Sequence, residues 1–343
     1  FYQLIRSHIF SYEILPARRI KKKYEYLNKS AEEKIFALSH FSKHKQKFEI
    51  NENDKNYQIY LEPDRYSYLN FTSDKVTIKS QNDFIISETF TKKTKVTKNK
   101  VILLIFIDGL SFLNDNNNFQ EFAPNITNFF SKGKIFTNHY SNSEWTLPSF
   151  ASIMTGKYTH NHGIFHPQAN HDITQKNKIL PEFFSENNYI TFMCNSGWRS
   201  NPGYGYVKGF DKSIYKKEAD SKFIINETID QINAFKSFNN FVFMGINDLH
   251  HDLNLTPPLN LQINADPKLI YAKNSNEKVK SVNEKYNKNK IDILKHNIST
   301  LDQNLSILFN YLEKNFKDKF IVSLCTDHGH AFLGNDGDII SKS

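Results

Sequence analysis

Six side chains stand where chemistry could be done: Asp108, Thr146, Asp248, His250, Asp327 and His328. Asp108 closes the apolar run 101–107, VILLIFI. Asp248 and His250 follow the run 240–246, NFVFMGI, and Asp327-His328 follows FIVSLCT at 320–326. A fourth run, ITFMC at 190–194, ends in Asn195-Ser196-Gly197-Trp198-Arg199. Asp108, Asp327 and His328 offer two carboxylates and an imidazole. That set suits one divalent ion, Zn²⁺ or Mn²⁺ rather than Ca²⁺ or Mg²⁺, with the Thr146 oxygen as a further ligand. Thr146 heads the helical-looking stretch TLPSFASIMTGKY. A hydroxyl there can cap the helix, or it can be a nucleophile. Ser149 and then Ser143 are the next candidates for that role. Any one of these polar residues alone reads as a cap or a turn; four apolar runs each ending in such a group read as one site.

The elements that must position them follow from the pattern. Short, wholly apolar, β-branched runs are strands buried on both faces of a parallel sheet, and open α/β sheets place ligands at the carboxyl ends of their strands. Helical spacing is expected over 181–189, 218–237 and 291–315. Strands alternating with helices predict an α/β fold of three layers, α/β/α, with a mostly parallel sheet. Residues 252–286 are rich in Asn, Pro and Lys and read as a long surface excursion beside the site.

The motifs in this order resemble the sulfatase branch of the alkaline phosphatase superfamily. Its Cys-x-Pro-Ser-Arg compares with Thr146-Leu147-Pro148-Ser149-Phe150, followed by Thr155-Gly156-Lys157-Tyr158 and His160-Asn161-His162-Gly163. Ala123-Pro124-Asn125-Ile126 through Gly133 and Phe136 is similar to a Pro-Asn…Gly…Phe stretch of the family. Ser323-Leu324-Cys325-Thr326-Asp327-His328-Gly329 is similar to its Ser/Thr-Asp-His-Gly. The resemblance covers about residues 99–343 and implies an alkaline phosphatase-like catalytic domain. The chain ends soon after His328, so that domain is expected to be truncated at its C-terminus.

The resemblance implies a metal held by Asp108, Thr146, Asp327 and His328, with Thr146 the nucleophile. It implies a contact to substrate or a proton for the leaving group from His250, and substrate-side places for Lys157, His162, Asp248 and Asn195. His160 is expected to be structural. Departures bear on the reaction. Sulfatases oxidise Cys or Ser to formylglycine, and Thr cannot give that aldehyde. The family's Arg is Phe150 here, its Asp-Asp is Asp108-Gly109, and its Gly-Lys-Trp-His has only Trp198. Arg199 can supply the positive charge instead, since a planar guanidinium clamps a tetrahedral oxyanion. The expected function is therefore hydrolysis or transfer of phosphate mono- or diesters on a glycan, lipid headgroup or small metabolite. The alternatives are a sulfuric ester hydrolase and a catalytically degenerate member that binds an anionic glycan.

Composition sets outer limits. The chain has 343 residues, a net charge of +8 and 39% hydrophobic residues, with a mean hydropathy of −0.57. It is long enough for one large and one small domain at ~150 residues each. The basic excess reads as a solvated surface or as attraction to anionic substrates and membrane surfaces. No nucleic-acid-binding motif occurs, and 30 Phe are better accounted for by a core than by base stacking. Two cysteines, Cys194 and Cys325, read as buried thiols in a reducing compartment. No apolar run approaches the ~20 residues of a membrane span, and no secretory signal is visible. A cytoplasmic or membrane-peripheral location follows as an expectation.

Residues 1–98 form a separate N-terminal module, helical and then β-rich. The helix is expected from about Ser30, where Ser-Ala-Glu-Glu can cap it, and antiparallel strands over 48–98. The basic run 18–23 reads as a solvated face, and TKKTKVTKNK at 91–100 as the linker to the catalytic domain at 99–343.

Overall fold

The computed structural model describes residues 11–28, 32–53, 55–90, 100–111, 119–136, 138–166, 177–250 and 288–330. The excursion expected at 252–286, His251, Ser30 and most of the linker lie outside these. The chain divides into two compact units, residues 13–95 and the remainder.

The smaller unit is a β-sandwich. Its strands are β2 (Ala17–Ile20), β3 (Lys23–Leu27), β4 (Lys34–His40), β5 (Gln46–Glu52), β6 (Lys55–Leu61), β7 (Ser67–Phe71), β8 (Lys75–Ser80) and β9 (Phe84–Ser87). They form two antiparallel sheets, ordered β2-β9-β4-β7 and β3-β8-β5-β6. Phe36, Leu38, Phe84 and Ile86 from one sheet pack on Phe48, Ile50, Val76 and Ile78 from the other. The helix expected from Ser30 is a strand instead, β4. Its run Ile35-Phe36-Ala37-Leu38 is fully buried between two neighbouring strands. A short, wholly apolar run carries no period that separates a buried helix from a buried strand, so tertiary pairing decides.

A six-stranded sheet runs in the order β1-β12-β11-β13-β10-β14, with its last five strands in the larger unit. Its strands are β1 (Tyr12–Ile14), β10 (Val101–Ile107), β11 (Ile190–Asn195), β12 (Lys212–Tyr215), β13 (Asn240–Ile246) and β14 (Phe320–Cys325). Every pairing from β12 to β14 is parallel. The four strands expected from their apolar runs are all present; β12, with its buried Lys212, was not foreseen. The helices are α1 (Phe119–Phe122), α2 (Pro124–Phe130), α3 (Thr146–Thr155), α4 (Thr159–His162), α5 (Leu180–Glu186), α6 (Ser221–Ala234) and α7 (Lys288–Phe316). This is an α/β fold with a mostly parallel sheet, as expected.

Helix α3 is the element that fixes the site. Pro148 lies in its first turn, where no amide is needed, and Gly156 ends it at φ 67° with its N–H on Ser152 O at 2.8 Å. Phe150 is fully buried, with ring centroids 5.2 Å from Phe106, 5.3 Å from Phe243 and 4.5 Å from Tyr206. An arginine at this position would bury a charge in that cluster. Phe150 therefore anchors α3 to β10 and β13 and takes no part in the site.

Candidate functional site

β10 and β14 are adjacent and parallel, so Asp108 and Asp327 emerge on the same rim. Gly109 N–H donates to Asp327 Oδ1 at 3.2 Å, tying the two strand ends together. Thr146 is the first residue inside α3, and the cap position before it is held by Trp145. The Thr146 hydroxyl instead faces the rim: Oγ1 donates to Asp108 Oδ2 at 3.3 Å and lies 3.3 Å from His328 Nε2. Of the two uses open to that hydroxyl, capping is excluded. Ser149 Oγ donates to Ser143 O at 2.9 Å and lies 3.0 Å from Ser141 Oγ, so it is used within the loop before α3.

His328 sits between the carboxylates. Its Nε2 is 3.6 Å from Asp108 Oδ1 and 3.4 Å from Asp327 Oδ2. Nδ1 donates to Gly329 O at 2.9 Å, because a carbonyl can only accept. Nε2 is thus the nitrogen aimed into the site. His250 Nε2 approaches from the solvent side, 3.9 Å from Asp108 Oδ1; its side chain is 22% exposed against 4% for Asp108. Asp108, His250 and His328 each present a donor atom within 4.8 Å of the others.

Burial raises the Asp108 carboxyl to about 6, against a lowering pull from His328 and Thr146. Asp327 is also raised, first by burial and then by the Asp108 charge. Burial pulls His328 down, but the Asp327 and Asp108 charges outweigh it and its pKa rises. The pocket concentrates negative charge away from water and draws in positive charge.

This donor set fits a divalent cation. Asp108 Oδ1 and Asp327 Oδ2 are buried oxygens that accept no hydrogen bond among the described residues. His328 has its tautomer set by a backbone carbonyl, as metal-ligating histidines do. Asp327 falls outside the Asp108–His250–His328 cluster, while its Oδ2 lies 3.4 Å from His328 Nε2.

Other expected residues are placed elsewhere. Asn195 is fully buried beneath the loop after β11, where Oδ1 accepts from Gly197 N–H at 3.0 Å and Nδ2 donates to Ser200 Oγ at 3.1 Å. These bonds order the loop that follows β11. Asp248 Oδ2 accepts from Ser221 N–H at 3.0 Å and so caps α6 from the end of β13; burial raises it to about 6. His162 Nδ1 accepts from Ile164 N–H at 3.0 Å, which leaves Nε2 to donate to Ser152 Oγ at 3.1 Å. Nε2 thereby ties α4 to α3, and Nδ1 orders the residues that follow α4, so both ring nitrogens have partners within the protein. The same buried-polar economy explains all three: each satisfies a backbone group that burial would otherwise strand. Lys157 Nζ donates to Asn177 Oδ1 at 2.9 Å from an exposed position past the end of α3.

Arg199 donates to Tyr204 OH at 2.8 Å. Its guanidinium lies 4.0 Å from the Trp198 ring and 5.9 Å from that of Trp145, the residue before Thr146. One further residue escaped the sequence reading. His330 packs its imidazole against Gly109, and nothing in the strand pattern marks it.

The sulfatase family model matches residues 100–340, more than half of the chain. The chain belongs to the sulfatase family. It falls in the alkaline phosphatase-like sulfatase branch. No curated protein matches it significantly. Among solved structures, YidJ of Bacteroides fragilis, a candidate sulfatase, is 15% identical with a TM-score of 0.54 over 71% of this chain and 64% of that one. A protein from a Bacteroides thetaiotaomicron locus for glycosaminoglycan metabolism is 14% identical, TM-score 0.49, over 70% and 63% of the two chains. The phosphonate monoester hydrolase of Agrobacterium radiobacter is 12% identical, TM-score 0.48, over 69% and 64%. At such identities the YidJ likeness is one of fold, and the chain spans 64% of that protein's length. No helix among the described residues is long and apolar enough to cross a membrane.

Proposed function

We propose that this sulfatase-family chain transfers or hydrolyses phosphate esters, with Thr146 as nucleophile. The observation that carries the reading is the Thr146 hydroxyl, buried and 3.3 Å from both Asp108 Oδ2 and His328 Nε2 at the head of α3. A threonine there supports phosphate over sulfate chemistry, because it cannot become the formylglycine of sulfatases.

Asp108, Asp327, His328 and the Thr146 oxygen would hold one divalent cation, with Zn²⁺ or Mn²⁺ suited to carboxylate and imidazole donors. A cation bound there supplies Lewis acidity, lowering the pKa of the hydroxyl and offsetting charge on the transferred group. Asp108 Oδ2, already the acceptor of the Thr146 proton, takes that proton as Oγ1 attacks phosphorus. A bond forms between Oγ1 and phosphorus, and the bond from phosphorus to the ester oxygen breaks. His250, the most solvent-facing member of the cluster, gives a proton to the departing alcohol. Water or an acceptor alcohol then attacks the phosphothreonine and gives its proton to His250, while the phosphorus–Oγ1 bond breaks and Asp108 returns its proton to Oγ1. Arg199, its planar group fixed by Tyr204 and two indoles, is the side chain offered to the remaining phosphate oxygens or to an anionic part of the substrate. The alcohol portion is a glycan, a lipid headgroup or a small metabolite.

The test compares aryl phosphodiester, phosphomonoester and sulfate substrates on the parent and Thr146→Ala proteins, with mass spectrometry for phosphothreonine at Thr146. Phosphoester turnover by the parent that vanishes in the variant is expected. Sulfatase activity surviving in Thr146→Ala would remove both nucleophile and reaction class.

A further inference from the structure

Gly109 follows Asp108 at the end of β10 with φ +74°. A side chain there has nowhere to go. A Cβ on Gly109 would stand 2.9 Å from His330 Nε2, 3.1 Å from His330 Cε1 and 3.3 Å from Leu249 O. Leu249 is fully buried and is the residue between Asp248 and His250. The imidazole of His330 therefore lies against the turn that carries Asp108, close to the strand end that carries His250. Two more contacts hold the same segments together. His330 N–H donates to Ser111 Oγ at 3.2 Å, and Gly109 N–H donates to Asp327 Oδ1 at 3.2 Å. The segment from Asp327 to His330 thus closes on the turn from Asp108 to Ser111 at three points.

We infer that His330 is a positioning residue: its ring fills the space left by Gly109 and holds the Asp108 carboxylate in register with His328 and His250. Where the family resemblance predicts a second carboxylate, this chain pairs a glycine with a histidine from the segment that follows β14. The ring does its work through Asp108. A smaller residue at 330 leaves an unfilled space beside the turn, and Asp108 gains freedom that the donor set cannot tolerate. A methyl on Gly109 has the opposite fault, because the ring must move to admit it.

The inference rests on the proposed cation site, and two readouts separate the two. The first is Mn²⁺ or Zn²⁺ affinity of the full chain by competition with a chelator of known strength. His330→Ala is expected to weaken binding at least tenfold, the usual scale for loss of a residue that orients a ligand. His330→Gln, which restores bulk and polar atoms, recovers most of it. The second is thermal unfolding of the metal-free protein for Gly109→Ala in parent and His330→Ala backgrounds. Gly109→Ala carries a conformational penalty in both but meets the ring only in the parent, so it lowers the midpoint less in the His330→Ala background. If His330→Ala fails to fold, His330→Asn carries the same comparison. Unchanged ion affinity in the folded variant, or an equal effect of Gly109→Ala in both backgrounds, overturns the wedge. A parent that binds neither ion overturns the cation site, and the unfolding comparison still decides the wedge.

Discussion

Replacing Thr146 separates catalysis from stability, because its hydroxyl contributes little to the fold and everything to the proposed reaction. The side chain is buried, at 3% exposure. Its contacts to Asp108 and His328 are long, 3.3 Å each, its hydroxyl also serves Asp327, and the cap position of α3 belongs to Trp145. Thr146→Ala therefore removes weak hydrogen bonds and one buried methyl, a combined cost of about 1–2 kcal/mol. In a unit of this size that lowers the unfolding midpoint by roughly 2–8 °C. Removal of a nucleophile elsewhere costs about 10⁴ to 10⁶ in turnover, or roughly 5–8 kcal/mol of barrier. The rate effect exceeds the stability effect several-fold, and the two are read independently. Thr146→Ser keeps the oxygen and loses only the methyl, so it is expected to keep measurable turnover and near-parent stability. The assay is turnover of an aryl phosphodiester at saturating Mn²⁺ or Zn²⁺, beside thermal unfolding of each variant. The reasoning is refuted if Thr146→Ala, folded and metal-loaded, turns over at more than a few per cent of the parent rate.

Asp108→Ala and Asp327→Ala should each abolish tight Mn²⁺ or Zn²⁺ binding. The metal-free variants should stay folded, since removal of either relieves repulsion between buried carboxylates, although Asp327→Ala also gives up the bonds from Gly109 and His328 N–H; stoichiometric metal in both by elemental analysis contradicts the ligand set. Asp302 in α7 accepts Asn125 N–H at 3.1 Å, Asn125 Nδ2–H at 2.7 Å and Ile126 N–H at 2.7 Å, capping α2 from another helix. Asp302→Ala is expected to destabilise by about 1–3 kcal/mol in denaturant titration. Burial raises the Asp302 carboxyl above its ordinary 3.8. The folded state thus binds the proton more tightly than the unfolded chain, so this group's contribution weakens as pH climbs from 3.8 through the raised value. Asp302→Asn should flatten that part of the stability–pH curve. His162→Ala should cost about 1–3 kcal/mol through the lost Ser152 and Ile164 bonds while leaving KM unchanged. A raised KM at parent stability would return His162 to the substrate.

The sequence by itself determined the parallel sheet and its rim. Four apolar runs have no period but the buried strand's, and each ends in a group too polar to stay in the core, so Asp108, His250 and Asp327-His328 had to surface together. It also determined the family, because motifs in fixed order survive where overall identity does not. What it left open was the use of each polar residue, since that depends on which backbone groups the fold strands. Asn195, His162 and Asp248 carry the same chemistry as the site residues, yet they satisfy a loop, a helix pair and the start of α6. Thr146 looks like any helix cap until the chain before α3 turns its hydroxyl to Asp108. The run at 35–38 is helix or strand by its letters, and only pairing with β7 and β9 makes it β4. Gly109 and His330 are far apart in sequence, and neither signals the other. Their match exists because parallel β10 and β14 end side by side, a proximity that local pattern cannot encode.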